Sequence, residues 1–332
     1  MLKLLAFLPL VGGFQCPTNG TFRSETRPTD VNKLRVGDID IVAAIGDSLT
    51  AGFGAEATSI TEILTESRGV AWSIGGRNGT STLPNTLKQY NPELKGMAIN
   101  STVARQPSKL QGYDVAVTGA IARDIIGQAQ ELREYLGDDN INWKHVNIFI
   151  GANDLCQVCH GDAIHSPERY QTYVKDALDV LYDIPRTFVS IVSVIDVVAL
   201  NAFTEGLCSV YHMYECFCIE TAESSKLVHE AAIEYRRMLY QLVENYSKLQ
   251  DFTVVIQPFM EFIDFPAELP RDLLAPDCFH FTKKTHSLAG IQLWNNLLEP
   301  VGGKTNNWNL TDTLMCPKEH DYLKTAENSI GL

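Results

Sequence analysis

The segment IDIVAAIGDSLTAGFGA (residues 39–55) decides how the rest of the chain is read. Its first seven residues are continuously apolar apart from Asp40, the pattern of a strand covered on both faces. Glycine, aspartate and serine follow at once. A serine at the turn from such a strand into a helix presents its hydroxyl at the sheet edge, near the positive end of the helix. Ser48 is therefore a candidate nucleophile, though a plain helix-capping serine carries the same local signature. As a nucleophile it needs a base, an orienting acid and donors for an oxyanion elsewhere in the chain.

Working outward, short β-branched runs recur at 114–118 (DVAVT), 146–150 (VNIFI), 187–194 (TFVSIVSV) and 253–256 (TVVI), as strands prefer. Helical spacing lies between them. Ile125, Ile126, Ala129, Leu132 and Leu136 form one apolar face; Tyr170, Tyr173, Val174, Ala177, Leu178 and Leu181 form a second. Ser166-Pro167 is a start signal for the latter helix. Leu227, Ala231, Tyr235, Met238, Leu242 and Tyr246 predict a long third helix, and Leu288, Ile291, Trp294 and Leu298 a last one. Alternating strands and helices predict an α/β fold, a parallel sheet with helices on both faces and functional loops gathered on one edge. No linker interrupts the alternation, so residues 16–332 read as one domain. Residues 69–112, rich in glycine, asparagine and proline, read as a long insertion near that edge.

The segment Asp277-Cys278-Phe279-His280 supplies the missing partners. His280 can take a hydroxyl proton near neutral pH, and Asp277 can accept from its other ring nitrogen, fixing the tautomer. A zinc pair with His286 is the rival, but neither an HExxH pattern nor clustered carboxylates accompany it. His286 itself reads as a core or capping histidine. Two glycine-bearing turns follow strands: Thr118-Gly119-Ala120, where a backbone N–H could approach, and Gly151-Ala152-Asn153-Asp154, where the Asn153 amide could donate. Each also reads as an ordinary turn or Asx cap.

Gly46-Asp47-Ser48-Leu49, then 115–120, then Gly151-Ala152-Asn153-Asp154, then Asp277-x-x-His280 stand in the order of the four blocks of the GDSL, or SGNH, hydrolases, and the chain resembles that family. The resemblance implies a three-layer α/β/α, flavodoxin-like fold on a five-stranded parallel sheet. It implies Ser48, Asp277 and His280 as the catalytic triad. The Ser48 and Gly119 N–H groups with the Asn153 side chain would form the oxyanion hole, with no metal or other cofactor. Segments 73–87 (SIGGRNGTSTLPNTL), 91–96 (NPELKG), 149–159 (FIGANDLCQVC), DCFHFT and LWNNLLEPVGGK resemble the phospholipase B branch more narrowly. That likeness covers roughly residues 36–304 and implies a secreted serine esterase acting on phospholipids and lysophospholipids at a micelle or membrane surface. Two departures stand out: the chain resembles one repeat without a membrane anchor, and Phe281 replaces a proline expected after the last block. An esterase for acetylated glycans or simple lipid esters, and an inactive binding protein, are the alternatives.

A formal net charge of -13 disfavours nucleic acid as a partner. The N-terminal MLKLLAFLPLVGGFQ resembles a signal peptide over residues 1–15. No run is long and apolar enough for a membrane span. Glycosylation sequons begin at Asn19, Asn78, Asn100, Asn245 and Asn309. The eight cysteines suit an oxidising compartment. Cys156-x-x-Cys159 reads as part of a disulfide framework, paired internally or each to a distant partner. Cys208, Cys216 and Cys218 read as staples of a long loop, and a bridge at Cys278 would hold His280 in place.

Overall fold

The structure, a computed structural model, describes residues 16–104, 112–203, 206–247, 249–263, 271–308 and 313–331. The expected leader (1–15) and the sequon at Asn309 lie outside the described residues.

Four parallel strands, β1 (Ile39–Gly46), β2 (Trp143–Phe149), β3 (Thr187–Val192) and β4 (Phe252–Gln257), pair in that spatial order. Every residue of all four is buried, which accounts for their near-continuous apolar runs. The register lines up Ile45, Ile148, Ile191 and Ile256 across the sheet. A buried aliphatic side chain of this kind contributes about 1.5–3 kcal/mol. Parallel strands need crossovers, and the expected helices supply them. The short α1 (Ser48–Ala51) follows β1, and α2 (Ile125–Leu136), α3 (Pro167–Tyr182) and the longer α5 (Ala222–Val243) pack in sequence against one another. The last helix, α6 (Lys283–Leu298), packs with the Leu83–Leu87 helix and the end of β4 to cover the other face. Between β3 and α5 lies a further helix, α4 (Cys208–Glu215).

The start signals act as read: the Ser166 hydroxyl accepts from the Arg169 N–H at 3.3 Å with Pro167 in the first turn. The buried face of α5 differs from the expected one. It runs Val228, Ala232, Tyr235, Arg236, Leu239 and Leu242, while Leu227 is exposed. The face is turned by one residue because Arg236 enters the core, where its Nε donates to the Val194 carbonyl at 3.0 Å.

The fifth strand, expected at 114–118, requires correction. That segment occupies the place of a fifth strand beside β1 but is not a regular strand. Ala44 N–H donates to the Tyr113 carbonyl, and Val115 and Val117 N–H donate to Ala44 and Gly46 carbonyls, at 3.0, 3.0 and 3.1 Å. Farther down the same edge the Val42 N–H donates to Lys95. The Gly46 N–H, which would be the next to donate to this segment, goes instead to Gln128 Oε1 at 2.8 Å, and Arg68 holds the segment's outward side. Its guanidinium, buried, donates to the Asp114 and Ala116 carbonyls at 3.4 and 2.9 Å. It also pairs with Glu66 at 2.6 Å and Asp114 at 2.9 Å. Two carboxylates around one guanidinium leave a negative charge in excess, and burial, with the Glu66 charge, pushes Asp114 up to about 6. Glu66 in turn accepts from the Thr118 hydroxyl at 2.6 Å, fixing the segment that leads to Gly119.

The cysteines pair as Cys16–Cys316, Cys156–Cys216, Cys159–Cys218 and Cys208–Cys278. The CxxC pair thus bridges to distant partners. Among the described residues no helix is long and apolar enough to cross a membrane.

Candidate active site

The carboxyl ends of β1 and β2 are in register, Gly46 opposite Phe149, so the loops after them open on the same edge. Gly46 is required there: a β-carbon would sit 2.3 Å from the Thr50 hydroxyl and 2.5 Å from the Phe149 carbonyl. Gln128 of α2 clamps this residue, accepting from its N–H at 2.8 Å and donating to its carbonyl at 2.9 Å. Asp47 then caps α1 by accepting from the Leu49 N–H at 2.9 Å, and Trp72 Nε1 ties α1 down through the Leu49 carbonyl at 3.0 Å. Ser48, first residue of α1, has a fixed backbone and 4% exposure.

The segment at 277–280 meets it from 232 positions away. Ser48 Oγ is 2.8 Å from His280 Nε2, and His280 Nδ1 is 2.6 Å from Asp277 Oδ2. The other Asp277 oxygen accepts from the Phe279 and His280 N–H groups at 3.1 and 3.0 Å, so the carboxylate organises its own turn. Phe53 and Phe279 flank the imidazole, with ring centroids 4.7 and 5.1 Å away. Phe281, in place of the expected proline, is buried against Trp308 at 5.3 Å.

Electrostatics follow the geometry. Burial works against the charged form of His280. The adjacent Asp277 charge and hydrogen bond overcome it, aided by Glu215 and Asp47, and the imidazole pKa is raised. Burial likewise pushes Asp277 up, but His280 and the two N–H donors bring it below the usual carboxylate range. A carboxylate only accepts, so His280 Nδ1 donates to Asp277, and the Ser48 hydroxyl faces the basic Nε2 of a neutral ring. Burial pushes Asp47 up to about 7 against the Leu49 N–H and the His280 charge. His286 is a core residue: its Nδ1 accepts from the Trp72 N–H at 3.4 Å, and burial, reinforced by the His280 charge, lowers its pKa to about 3.

Gly119 stands two residues beyond the last edge bond of 113–117, at φ +82°, a conformation open to glycine. Asn153 follows the Gly151 turn after β2, and its Nδ2 donates to the Ala120 carbonyl at 2.8 Å. An amide nitrogen carries two hydrogens, so one remains after that bond. Asp154, which sequence reading did not single out, joins the same two loops: it accepts from the Ala122 N–H at 2.8 Å and meets His165 Nδ1 at 3.1 Å. Its position next to Asn153 was its only signal. Gln128 was equally unforeseen, since a lone glutamine on a helix reads as solvated. Among the described residues, one cluster of metal-ligand type is present, Cys159, His160 and Cys218. Its two sulfurs are bonded to each other, which leaves no thiolate to bind an ion.

A serine hydroxyl in line with an imidazole and a carboxylate, on a parallel sheet, is the constellation of a serine hydrolase. Over residues 42–293 the chain matches the family described as GDSL-like Lipase/Acylhydrolase, and it belongs to that family. Among curated proteins it is similar to "Phospholipase B1, membrane-associated" of Rattus norvegicus, 37% identical over 95% of this chain, and of Homo sapiens, 36% identical over 95%. In both comparisons the chain spans 23% of the relative's length. Among solved structures it is similar to a carbohydrate esterase family 3 protein from Talaromyces cellulolyticus, at 14% identity and TM-score 0.43, covering 76% of this chain and 93% of that one. An acetyl xylan esterase from Geobacillus stearothermophilus matches at 14% identity and TM-score 0.40, covering 77% and 94%.

Proposed function

We propose that the protein is a serine esterase that cleaves fatty-acyl esters of phospholipids and lysophospholipids, with Ser48 as nucleophile. The 2.8 Å contact between Ser48 Oγ and His280 Nε2 carries this reading. Oγ attacks the ester carbonyl as His280 takes its proton, and Asp277 stabilises the imidazolium. The Ser48 and Gly119 N–H groups and the free Asn153 amide hydrogen receive the charge that develops on the carbonyl oxygen. Imidazolium then protonates the departing alkoxide, which leaves as lysophospholipid or glycerophosphodiester. Water, activated by the same imidazole, hydrolyses the acyl-enzyme and regenerates Ser48. Product analysis from a defined phospholipid, run beside an acetylated sugar, tests the substrate class. Release of fatty acid supports the proposal; release of acetate alone overturns it.

Asn153→Ala removes one oxyanion donor. Its kcat falls by on the order of 10²–10³-fold with KM little changed, because the bond is made to the tetrahedral species and not to the ground state. Steady-state kinetics on a soluble ester check this; a loss confined to KM would place Asn153 in substrate binding instead.

A lipid surface as the site of action is supported by α4 and the residues around it. Leu207, Val210, Met213, Tyr214 and Phe217 are exposed, Tyr214 at 83%, on or beside a helix joined to the catalytic segment by Cys208–Cys278. Apolar side chains held beside an esterase site suit entry into a lipid interface, and the net charge of -13 favours zwitterionic over anionic surfaces. Replacing Leu207 and Tyr214 by serine lowers the ratio of activity on phosphatidylcholine vesicles to activity on a soluble ester by about tenfold. An unchanged ratio would remove α4 from any interfacial role.

We further propose maturation in the secretory pathway as one domain over residues 16–332, after removal of residues 1–15. Four disulfides support it, as do sequon residues Asn19, Asn78, Asn100 and Asn245, all exposed.

A further inference from the structure

Cys278 lies between the acid and the base, with φ +61°. The left-handed conformation crowds a β-carbon against the backbone, and residues other than glycine, asparagine and aspartate hold it only where their surroundings impose it. Here it reverses the chain, so that the Asp277 carboxylate folds back onto the Phe279 and His280 N–H groups and the imidazole. The imposing groups reach in from α4. Cys208, its first residue, is bonded to Cys278 through sulfur. His212, one turn along the same helix face, is buried with Nε2 3.0 Å from the Cys278 carbonyl oxygen. A carbonyl only accepts, so Nε2 carries the proton and donates. Side chain and main chain of one residue are thus gripped from a single helix. Glu215, a further turn on, adds a negative charge that acts on His280.

We propose that His212 and the Cys208–Cys278 bridge are positioning residues for the ester-cleaving reaction. They hold the turn at Cys278, and through it the Asp277–His280 pair, against Ser48, without touching substrate. The inference rests on the reading of Ser48, His280 and Asp277 as the catalytic groups.

His212→Ala, in the full chain with its disulfides formed, tests it on a soluble ester. The expected result is a fall in kcat on the order of 10–10²-fold with KM unchanged, the cost of a small misplacement of reacting groups. The acid limb of kcat/KM moves to lower pH, because a loosened Asp277 raises the His280 pKa less. His212→Gln, whose amide nitrogen can donate to the same carbonyl, recovers most of the rate. The double variant Cys208→Ser, Cys278→Ser shifts kcat and the limb in the same directions. Wild-type kcat and an unmoved limb in His212→Ala overturn the proposal. So does a loss that His212→Gln leaves unrelieved and that comes with increased protease sensitivity, which marks a purely structural role. Retained hydrolysis by Ser48→Ala would instead refute the underlying reading of the site. An inactive Ser48→Ala beside a fully active His212→Ala would refute the positioning role alone.

Discussion

Ser48→Ala lowers kcat on a fatty-acyl ester by on the order of 10⁶-fold, the loss typical of removing the nucleophile from a unit that acts together. No neighbouring group can replace it. Asp47 is buried beside it, with one carboxylate oxygen held by the Leu49 N–H, and Thr50, also buried, has its hydroxyl packed against Gly46. The fold is expected to survive, because the backbone of Ser48 is held by Asp47, Trp72 and the Gln128 clamp on Gly46, not by the hydroxyl. An organophosphonate that labels the wild type stoichiometrically leaves the variant unlabelled. Ester hydrolysis at even a hundredth of the wild-type rate in a folded, unlabelled variant would mean that another group attacks the carbonyl.

Asp277→Asn is the second large effect, on the order of 10⁴-fold in kcat. The reason is a tautomer. The Phe279 and His280 N–H groups hold one oxygen of residue 277, so the asparagine amide nitrogen is left facing His280 Nδ1. That nitrogen must then accept, the ring proton moves to Nε2, and Nε2 can no longer take the Ser48 proton. The pH profile moves as well. A raised imidazole pKa means that activity in the wild type climbs with pH through a midpoint above the ordinary value of about 6.5. Without the Asp277 charge, burial dominates and the limb shifts to lower pH. Stability follows with its own sign. The raised His280 pKa gives stabilisation that is complete below about 6.5 and lost as pH rises through the raised value. The lowered Asp277 pKa gives stabilisation that is complete above about 4 and lost as pH falls through the lowered value. The pair stabilises most between those limits, and the variant loses that maximum. Denaturant melts from pH 4 to 9 beside kcat/KM profiles check both; an acid limb at the wild-type position in Asp277→Asn would assign it to a different group.

What the chain disclosed in advance was local chemistry. Ser48 and the Asp277–His280 pair were legible because a strand end, a turn and a three-residue spacing each have their own residue signature. The helix starts at Ser166 and the four regular strands were legible for the same reason. Relations between distant segments were not. The cysteine pairing depends on where α4 lies, and nothing near Cys156 or Cys159 encodes Cys216 or Cys218. The edge at 114–118 has strand-forming residues, yet the Gly46 N–H that would continue its ladder is taken by Gln128, 82 positions away. On α5 two faces one residue apart are both apolar at helical spacing, and the entry of Arg236 into the core selects between them. Gln128 and Asp154 passed unnoticed because their importance lies wholly in what they touch.

The Arg68 arrangement also bears on how the molecule behaves in a crowd. An exposed run of free amides and carbonyls along a sheet margin invites another chain to add a strand, the first step toward domain swapping or fibrils. Beside β1 that invitation is withdrawn. Short, broken pieces of chain cover the strand, and the guanidinium already occupies two of the outward carbonyls while being neutralised by Glu66 and Asp114. The device that holds the Gly119 loop therefore doubles as a guard against self-association.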